Sequence, residues 1–224
     1  MRKDAACVAE VGSSSGALAR AYREINSDCR YVGIEIVEEY AQASKRYCTD
    51  VICGNVEKLD DEVFNDLSSV QSWVFADALE HLYDPWKLLK KIRQNASGPV
   101  EVVACVPNAQ NWSLQTCLNT GRFVYQDSGL LDRTHIRWFT RLTLIDLFHS
   151  SGFQIVDMRA RIFHQPDPQV LAAIGQLAQA SGVDPEQAKE DAVAFQYVVK
   201  AVAEPVVDQT PPAPRAKVKR RKAA

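Results

Sequence analysis

The sequence contains no apolar run near the length of about 18 residues that a membrane-spanning helix requires. Residues 1–10 also do not show the pattern of a signal peptide. The six cysteines include no C-x-x-C pair, and none has a histidine at metal-ligand spacing. We therefore expect a cytoplasmic protein without a membrane span, whose cysteines are reduced and buried.

Aspartate, glutamate and histidine residues also show little clustering as potential metal ligands. They cluster in the sequence only at Glu80, His81 and Asp84. A closed metal site needs several ligands at regular spacing. We therefore expect no metal site.

Negative charge is scarce at the end of the chain. Residues 205–224 contain six basic residues and one acidic residue, a net charge of +5, so residues 1–204 carry −7 of the total of −2. An acidic body repels phosphates, and we do not expect nucleic acid as a partner. The tail, residues 204–224, is rich in proline and then in basic residues, without an apolar period, so we expect it to be disordered.

The rest of the chain has the composition of one ordinary globular domain, residues 1–203, with 46% apolar and 24% charged residues overall. Strand-like and helix-like patterns alternate, which predicts an α/β domain with a mostly parallel sheet. The predicted strands lie near residues 6–11, 31–36, 50–53, 73–77, 100–106, 153–161 and 195–202. The predicted helices lie near residues 16–25, 38–47, 60–68, 84–95, 140–151, 169–182 and from 184 onwards.

A glycine-rich turn follows the first predicted strand, since residues 8–16 read Val-Ala-Glu-Val-Gly-Ser-Ser-Ser-Gly. Gly12 and Gly16 allow a close approach of the backbone to a ligand, because they carry no Cβ. Glu35 ends the second predicted strand, where doubly wound folds place an acid that accepts hydrogen bonds from ribose hydroxyls. The pairing predicts a nucleotide pocket, with a plain strand-to-helix turn as the alternative.

The spacing of the glycines indicates which nucleotide binds. A dinucleotide fingerprint, G-x-G-x-x-G/A, could be forced onto Gly12, Ser14 and Ala17. Glu10 argues against it, because a carboxylate repels a pyrophosphate but suits an ammonium group. The frame acid-x-G-x-G-x-G, with Ser14 at the middle glycine, fits better. This frame resembles motif I of the class I S-adenosylmethionine-dependent methyltransferases.

Later segments resemble the same family in the same order, and the resemblance covers residues 6–203. Gly54-Asn55-Val56 matches a Gly-Asp/Asn-hydrophobic motif. Residues 79–85 read Leu-Glu-His-Leu-Tyr-Asp-Pro and resemble the LEHL-x-DP segment of one branch. Residues 131–140 match the pattern LDRTH-x-R-x-FT, which resembles a segment of a bacterial subgroup associated with glycan and small-molecule methylation.

The resemblance implies a fold and a cofactor. The implied fold is a doubly wound, Rossmann-like, seven-stranded and mostly parallel sheet, with strand order 3-2-1-4-5-7-6, the last strand antiparallel, and helices on both faces. The implied cofactor is S-adenosylmethionine. Glu10 would help to hold its amino group through water, Asn55 and Val56 would contact the adenine, and Asp77 would line the methionine end. The implied cofactor-binding residues are Glu10, Gly12, Ser13, Ser14, Gly16, Glu35, Ile36, Asn55, Val56, Asp77 and Leu79.

Residues 107–139 form a long connection after the fifth predicted strand, at the sheet edge where doubly wound folds bind ligands. We interpret this connection as a substrate lid for a small-molecule or glycan-type acceptor. A hydroxyl acceptor must lose its proton, and His135 and His81 are the candidate catalytic bases. We expect Asp132 to orient His135, and we interpret Glu80 as a charge at a helix start. The structural alternatives are a His81 bonded to backbone or to Asp84, and a His135 that only holds the lid.

Together these features predict a methyltransferase acting at an oxygen atom. One alternative is a non-catalytic relative that serves as a binding or partner subunit, and another is a nicotinamide-dependent oxidoreductase. Members of the family usually carry a helix or two before the first strand, but only residues 1–5 precede it here. We therefore expect a second subunit or a partner domain to complete the cofactor cap, unless the domain is trimmed.

Overall fold

The computed structural model describes residues 1–203, which are organised around one seven-stranded sheet with the order β3-β2-β1-β4-β5-β7-β6. Its strands are β1 (Cys7–Val11), β2 (Arg30–Glu35), β3 (Asp50–Cys53), β4 (Ser72–Ala76), β5 (Glu101–Pro107), β6 (Phe153–Arg161) and β7 (Gln196–Ala203). Strands β1 to β5 pair in parallel, and β7 runs antiparallel between β5 and β6. The predicted fold and strand order are confirmed. The predicted disordered tail, residues 204–224, lies outside the described residues.

Eight helices connect the strands within residues 1–203. They are α1 (Ala17–Arg23), α2 (Glu38–Ser44), α3 (Asp61–Asp66), α4 (Pro85–Asn95), α5 (Trp112–Asn119), α6 (Arg141–Ser150), α7 (Pro168–Ala180) and α8 (Pro185–Val193). Two short 3₁₀ turns, Val56–Lys58 and Leu79–His81, lie at the sheet edge described below. The alternating strand and helix pattern of the sequence therefore corresponds to the observed elements.

Several helices begin where local chemistry predicts it. Asp84, Asp167 and Asp184 each accept a hydrogen bond from a backbone N–H in the first turn of α4, α7 and α8, and a proline follows each aspartate. Thr140 and Thr143 form a reciprocal capping box at the start of α6. These caps fix the entry into α4 and α6, and both helices pack on the same face of the sheet.

The core fills both faces of the central strands. On one face, side chains such as Leu89 of α4 and Leu147 of α6 pack on β4 and β5, and both are fully buried. On the other face, Tyr22 of α1 packs with Tyr31 of β2. Because β1 is buried along its whole length, its carboxyl end is held rigidly where the glycine-rich turn begins.

The connection between β5 and α6 is more ordered than the sequence pattern predicts. It contains α5, whose N-cap Asn111 accepts a hydrogen bond from the backbone of Ser113. Leu114 of this helix packs with Leu130 and Leu131 in a small separate apolar cluster. The helix is short and only one of its side chains is fully buried, which explains why its periodicity was too weak to predict it.

Two expectations from composition bear on the described residues. Within residues 1–203, every helix is too short or too polar to cross a membrane. All six cysteines are unpaired, and Cys7, Cys29 and Cys48 are buried as expected. The expectation of burial is wrong for Cys53, because it ends β3 at the edge of the sheet and is exposed, and Cys105 and Cys117 are only partly buried.

Candidate active site

A cleft of about 340 Å³ opens at the carboxyl ends of β1, β2 and β4. This is the edge at which the strand order reverses in a doubly wound sheet, and such edges bind ligands. The cleft is lined by six of the predicted cofactor-binding residues, Gly12, Glu35, Ile36, Asn55, Val56 and Asp77. It is also lined by His81. The structure thus brings residues from distant parts of the sequence to one cavity.

Gly12 begins the turn after β1 in a left-handed backbone conformation, with φ +75°. Its N–H donates to the carbonyl of Ile34 at 2.8 Å, which ties the turn to the end of β2. The nearest atom to a Cβ built at this position is the Cβ of Ala78, at 3.5 Å. The backbone angle therefore favours glycine here, whereas crowding from the protein does not require it. The absence of a side chain also keeps the cleft open.

Ser14 has the same left-handed conformation, with φ +48°, although it is not glycine. The sequence frame places a glycine here, and the backbone adopts the conformation that a glycine favours. The side chain of Ser14 is exposed and does not line the cleft. Its N–H donates to Glu35 at 2.8 Å, so the strained turn serves to hold that carboxylate.

Glu35 is buried at the end of β2, with only 6% of its surface exposed. Its two carboxylate oxygens each accept a backbone N–H, one from Ser14 at 2.8 Å and one from Val37 at 3.0 Å. Each oxygen keeps a further lone pair, and the residue lines the cleft. The carboxylate is thus fixed in place and can still accept the hydroxyls of a ribose.

Asn55 and Val56 form the far wall of the cleft, beyond Glu35. The side-chain oxygen of Asn55 accepts the N–H of Glu57 at 2.9 Å and caps a 3₁₀ turn, while Val56 is buried beneath it. Glu57, which the sequence reasoning missed, accepts the N–H groups of Tyr83 and Asp84 at 2.9 and 2.7 Å. It therefore joins this wall to the start of α4.

Glu10 does not line the cleft, although the sequence frame implies a role at the cofactor. It is buried in the middle of β1, where Tyr31 donates a hydrogen bond to it at 2.8 Å. Burial raises the pKa of Glu10 to about 7, against the opposing effect of that hydrogen bond. Any contact of Glu10 with a cofactor would have to pass through water, and its role there stays a prediction.

Three other predicted residues lie beside the cleft rather than in its lining. Ser13 is buried against Gly33 of the neighbouring strand. Gly16 lies at the start of α1, where a Cβ would meet the Cα of Ser44 at 3.2 Å, so it serves helix packing. Leu79 is fully buried in the core, because the 3₁₀ turn directs it beneath the cleft and not into it. Their direct contact with a cofactor is therefore not supported by this geometry.

Asp77 follows β4 at the end of the cleft nearest His81. Its backbone is left-handed, with φ +53°, and its N–H donates to the carbonyl of Cys105. The amide of Gln196, on β7, donates to its carboxylate. The antiparallel insertion of β7 is what brings Gln196 here, so the sequence pattern of β4 alone could not reveal this partner.

A cluster of Glu80, His81 and His135 closes this end of the cleft. The two imidazole rings meet edge to face, with 4.9 Å between their centroids. One ligand atom from each of the three residues lies within 4.8 Å of the others. The sequence offers Asp84 as the third member of such a cluster, but the fold uses Asp84 to cap α4 and supplies His135 instead.

Backbone carbonyls orient both histidines. The Nδ1 atom of His81 lies 3.1 Å from the carbonyl oxygen of Thr134, and that of His135 lies 3.2 Å from the carbonyl oxygen of Leu130. The expectation that Asp132 orients His135 is therefore wrong. Asp132 accepts the N–H and the hydroxyl of Thr134 at 2.7 and 2.6 Å, because that residue is closer in the turn.

Glu80 has a different role from the one expected of a charge at a helix start. Its side chain is 1% exposed, and neither carboxylate oxygen has a hydrogen-bond partner within residues 1–203. The Nε2 atom of His135 lies 3.9 Å from one of these oxygens, beyond hydrogen-bond distance. Burial raises the pKa of Glu80 to about 8. The apolar residues on either side in the sequence, Leu79 and Leu82, were the available signal of this burial.

The long connection folds down onto this cluster. The backbone N–H groups of Ile136 and Arg137 both donate to the carbonyl of Glu80, at 3.0 and 2.9 Å. An aromatic wall extends outward from His135 through Trp138, Phe123 and Tyr125, with neighbouring ring centroids 5.7–6.0 Å apart. The cluster thus lies between the cleft and an aromatic surface.

Comparison with known proteins agrees with this geometry. Residues 2–158 match a family model described as a methyltransferase domain. A methyltransferase dependent on S-adenosylmethionine from Archaeoglobus fulgidus shares 16% identity over 89% of this chain and 87% of its own, with a TM-score of 0.59. A chain from the complex of the Haloferax volcanii Trm112 methyltransferase activator with its methyltransferase shares 17% identity over 89% and 83%, with a TM-score of 0.57.

A third similar structure is the plantazolicin methyltransferase BpumL, solved with S-adenosylhomocysteine. It shares 13% identity over 88% of this chain and 76% of its own, with a TM-score of 0.57. No curated protein matches the sequence significantly. With the family model matching well over half of the sequence, the chain belongs to the methyltransferase-domain family, as a class I methyltransferase dependent on S-adenosylmethionine.

Proposed function

We propose that this enzyme transfers a methyl group from S-adenosylmethionine to a hydroxyl oxygen of a small-molecule or glycan-type acceptor. The observation that carries the proposal is the position of His81 and His135. His81 lines the cleft, and His135 contacts it from the connection that covers this end. With the cofactor in this cleft and its methionine end at Asp77, an acceptor would approach the methyl group beside this cluster.

The cleft has the features that the cofactor requires. Glu35 would accept the ribose hydroxyls, because its oxygens are already fixed by backbone N–H groups. Asn55 and Val56, with the exposed Ile36 opposite, would hold the adenine. Gly12 would pass beneath the methionine part, with Asp77 at its far end. The remaining implied residues, Glu10 among them, would act from behind this lining.

When bound, the cofactor supplies an electrophilic methyl carbon and a sulfur leaving group, so the protein has to align, desolvate and deprotonate. Burial lowers the pKa of His135, with His81 as a further cause, so the imidazole is neutral at physiological pH. A neutral imidazole can accept the proton of the hydroxyl as the oxygen forms its bond to carbon and the carbon–sulfur bond breaks.

The aromatic wall supports the acceptor class. Trp138 is 37% exposed and Tyr125 is 58% exposed, and both lie on the outer side of His135. Exposed rings of this kind pack against the planar face of a phenol or the C–H face of a sugar. On this proposal residues 107–139 are the substrate lid, which positions the acceptor hydroxyl against the histidines.

A partner that completes the cofactor cap also belongs to this proposal. Two apolar side chains that line the cleft are strongly exposed, Ile36 at 64% and Tyr83 at 72%, and Tyr40 of α2 is 50% exposed. One similar structure is that of a methyltransferase bound to an activator protein. A second copy of this chain or a partner domain could cover these side chains. The cytoplasmic location stays a prediction from the cysteine pattern.

Two measurements test the proposed function. Calorimetry with S-adenosylhomocysteine should give micromolar-range binding, whereas NAD should not bind. A homocysteine-release assay over hydroxylated sugars and phenols should then identify an acceptor. Binding of S-adenosylhomocysteine without turnover on hydroxyl, amine or thiol acceptors would favour a non-catalytic binding or partner subunit instead.

A further inference from the structure

The cluster of Glu80, His81 and His135 contains a buried carboxyl group that has no hydrogen-bond partner within residues 1–203, and the proposed imidazole base does not supply one. Glu80 is a carboxyl group at 1% exposure, and none of residues 1–203 donates a hydrogen bond to it. A buried carboxyl group without a hydrogen-bond partner is unfavourable, and its ionised form requires a cation beside it. Arginine and lysine side chains near the cluster are committed elsewhere: Arg137 donates to the carbonyl of Tyr83, and Arg133 pairs with Asp127.

The histidines have the arrangement of metal ligands. In each ring Nδ1 contacts a backbone carbonyl, of Thr134 for His81 and of Leu130 for His135. This contact fixes the proton on Nδ1 and leaves the lone pair of Nε2 free, as the outer contacts of metal-binding histidines do. One ligand atom of each histidine and one carboxyl oxygen of Glu80 lie within 4.8 Å of one another, as three protein ligands of a metal ion would.

We propose that Glu80, His81 and His135 bind a divalent transition-metal ion, which coordinates the hydroxyl group of the acceptor. The proposal rests on the proposed transfer to oxygen and gives it a means of activating the hydroxyl. Two imidazoles and one carboxylate suit Zn²⁺, Co²⁺ or Mn²⁺ better than Ca²⁺ or Mg²⁺, which prefer oxygen ligands. Three protein ligands leave positions open for water or substrate.

The ion changes where the proton goes. With both imidazoles acting as ligands, His135 cannot accept it, and the metal-bound hydroxyl releases its proton to solvent water. The oxygen then forms its bond to the methyl carbon, and the electrons of the carbon–sulfur bond pass to sulfur.

The test measures metal binding separately from cofactor binding. Full-length protein stripped with a chelator should bind one Co²⁺ per chain, seen by its visible absorption, and Zn²⁺ should displace it. Each of the variants Glu80→Gln and His135→Gln should weaken this binding roughly 10–100-fold or more. His149→Gln is the matched control, because His149 is exposed at the end of α6, and it should bind as the wild type does.

Titration of the same samples with S-adenosylhomocysteine separates the two proposals. Wild-type protein that binds S-adenosylhomocysteine but no Co²⁺, Zn²⁺ or Mn²⁺ stoichiometrically would overturn the metal site and leave the proposed function standing. Metal binding that is unchanged in both cluster variants would also overturn it. Should Glu80→Gln fail to fold, His135→Gln by itself decides the outcome. If the wild-type protein does not bind S-adenosylhomocysteine, the proposed function is refuted instead.

Discussion

The carboxyl groups buried at the two ends of the cleft differ in their hydrogen-bond donors. Glu35, at 6% exposure, has a backbone N–H on each oxygen, whereas Glu80, at 1% exposure, has no donor within residues 1–203. At the cofactor end, the part of the cleft around Glu35 where we propose that the cofactor binds, the carboxylate already has its hydrogen-bond donors before anything binds. At the acceptor end, the cluster of Glu80, His81 and His135, the carboxyl group has none within residues 1–203. On the proposed function, this difference fits recognition at the first end and chemistry at the second.

The largest expected effect lies at the acceptor end. His135→Ala should lower turnover by roughly 10²–10⁴-fold, because it removes a group that activates the hydroxyl either as a base or as a metal ligand. The affinity for S-adenosylhomocysteine should change little, since His135 is separated from the cofactor wall by His81. Steady-state kinetics with calorimetry checks both, and His149→Ala is the control. Near-normal turnover would return His135 to a purely structural role.

The next effect concerns a third buried carboxyl, Glu10, whose only hydrogen-bond donor within residues 1–203 is Tyr31. Its folded pKa of about 7 lies above the ordinary 4.5, so its contribution to stability is complete below pH 4.5 and is lost as pH rises through 7. Glu10→Gln should therefore stabilise the protein by about 3 kcal/mol at pH 8 and hardly at all at pH 4.

Urea unfolding at a series of pH values measures this difference. The two curves of unfolding free energy should diverge between pH 4.5 and 7. Parallel curves would show that folding does not raise the pKa of Glu10. Glu10 would then no longer contrast with Glu35.

A smaller effect is expected for Glu35, the carboxylate whose two oxygens each accept a backbone N–H. Glu35→Ala should weaken binding of S-adenosylhomocysteine by about 1–3 kcal/mol, the cost of leaving buried ribose hydroxyls without an acceptor. Glu38→Ala is the matched control, because Glu38 is exposed in the next helix and should leave the affinity unchanged. An unaltered affinity in Glu35→Ala would place the ribose elsewhere.

The smallest effect concerns the backbone that holds Glu35. Ser14→Gly should stabilise the fold by about 1 kcal/mol, because glycine adopts the left-handed angle of +48° without the steric cost of a Cβ. Ser15→Gly, at the adjacent exposed position without a positive φ, should give no such gain. Thermal or urea unfolding compares the pair. A loss of stability in Ser14→Gly would mean that the serine side chain contributes more than its strain costs.

The sequence predicted the lining of the cleft around Glu35 better than the cluster around His135. Glu35 ends a strand, and Gly12 and Asn55 follow one within two residues, so local spacing sufficed to place them together at one sheet edge. Gly16, in the same turn as Gly12, faces helix α2, and Leu79, in the turn after β4, faces the core, because a motif does not say which way each side chain points. At the acceptor end, Asp132 was the nearest carboxylate to His135 in sequence, yet a closer threonine takes its hydrogen bonds.

The sequence by itself determined the order of the elements, the strand order by way of the family resemblance, and the glycine-rich turn. These depend on hydrophobic period, helix caps and backbone angles, which act over a few residues. Only the tertiary structure decided that Glu80 is buried without a donor and that His135 faces it beside His81. That meeting depends on the packing of the long connection over β4, and β7 likewise brings Gln196 to Asp77. Contacts of this kind have no local signal, because they form between segments that become neighbours only when the sheet has assembled.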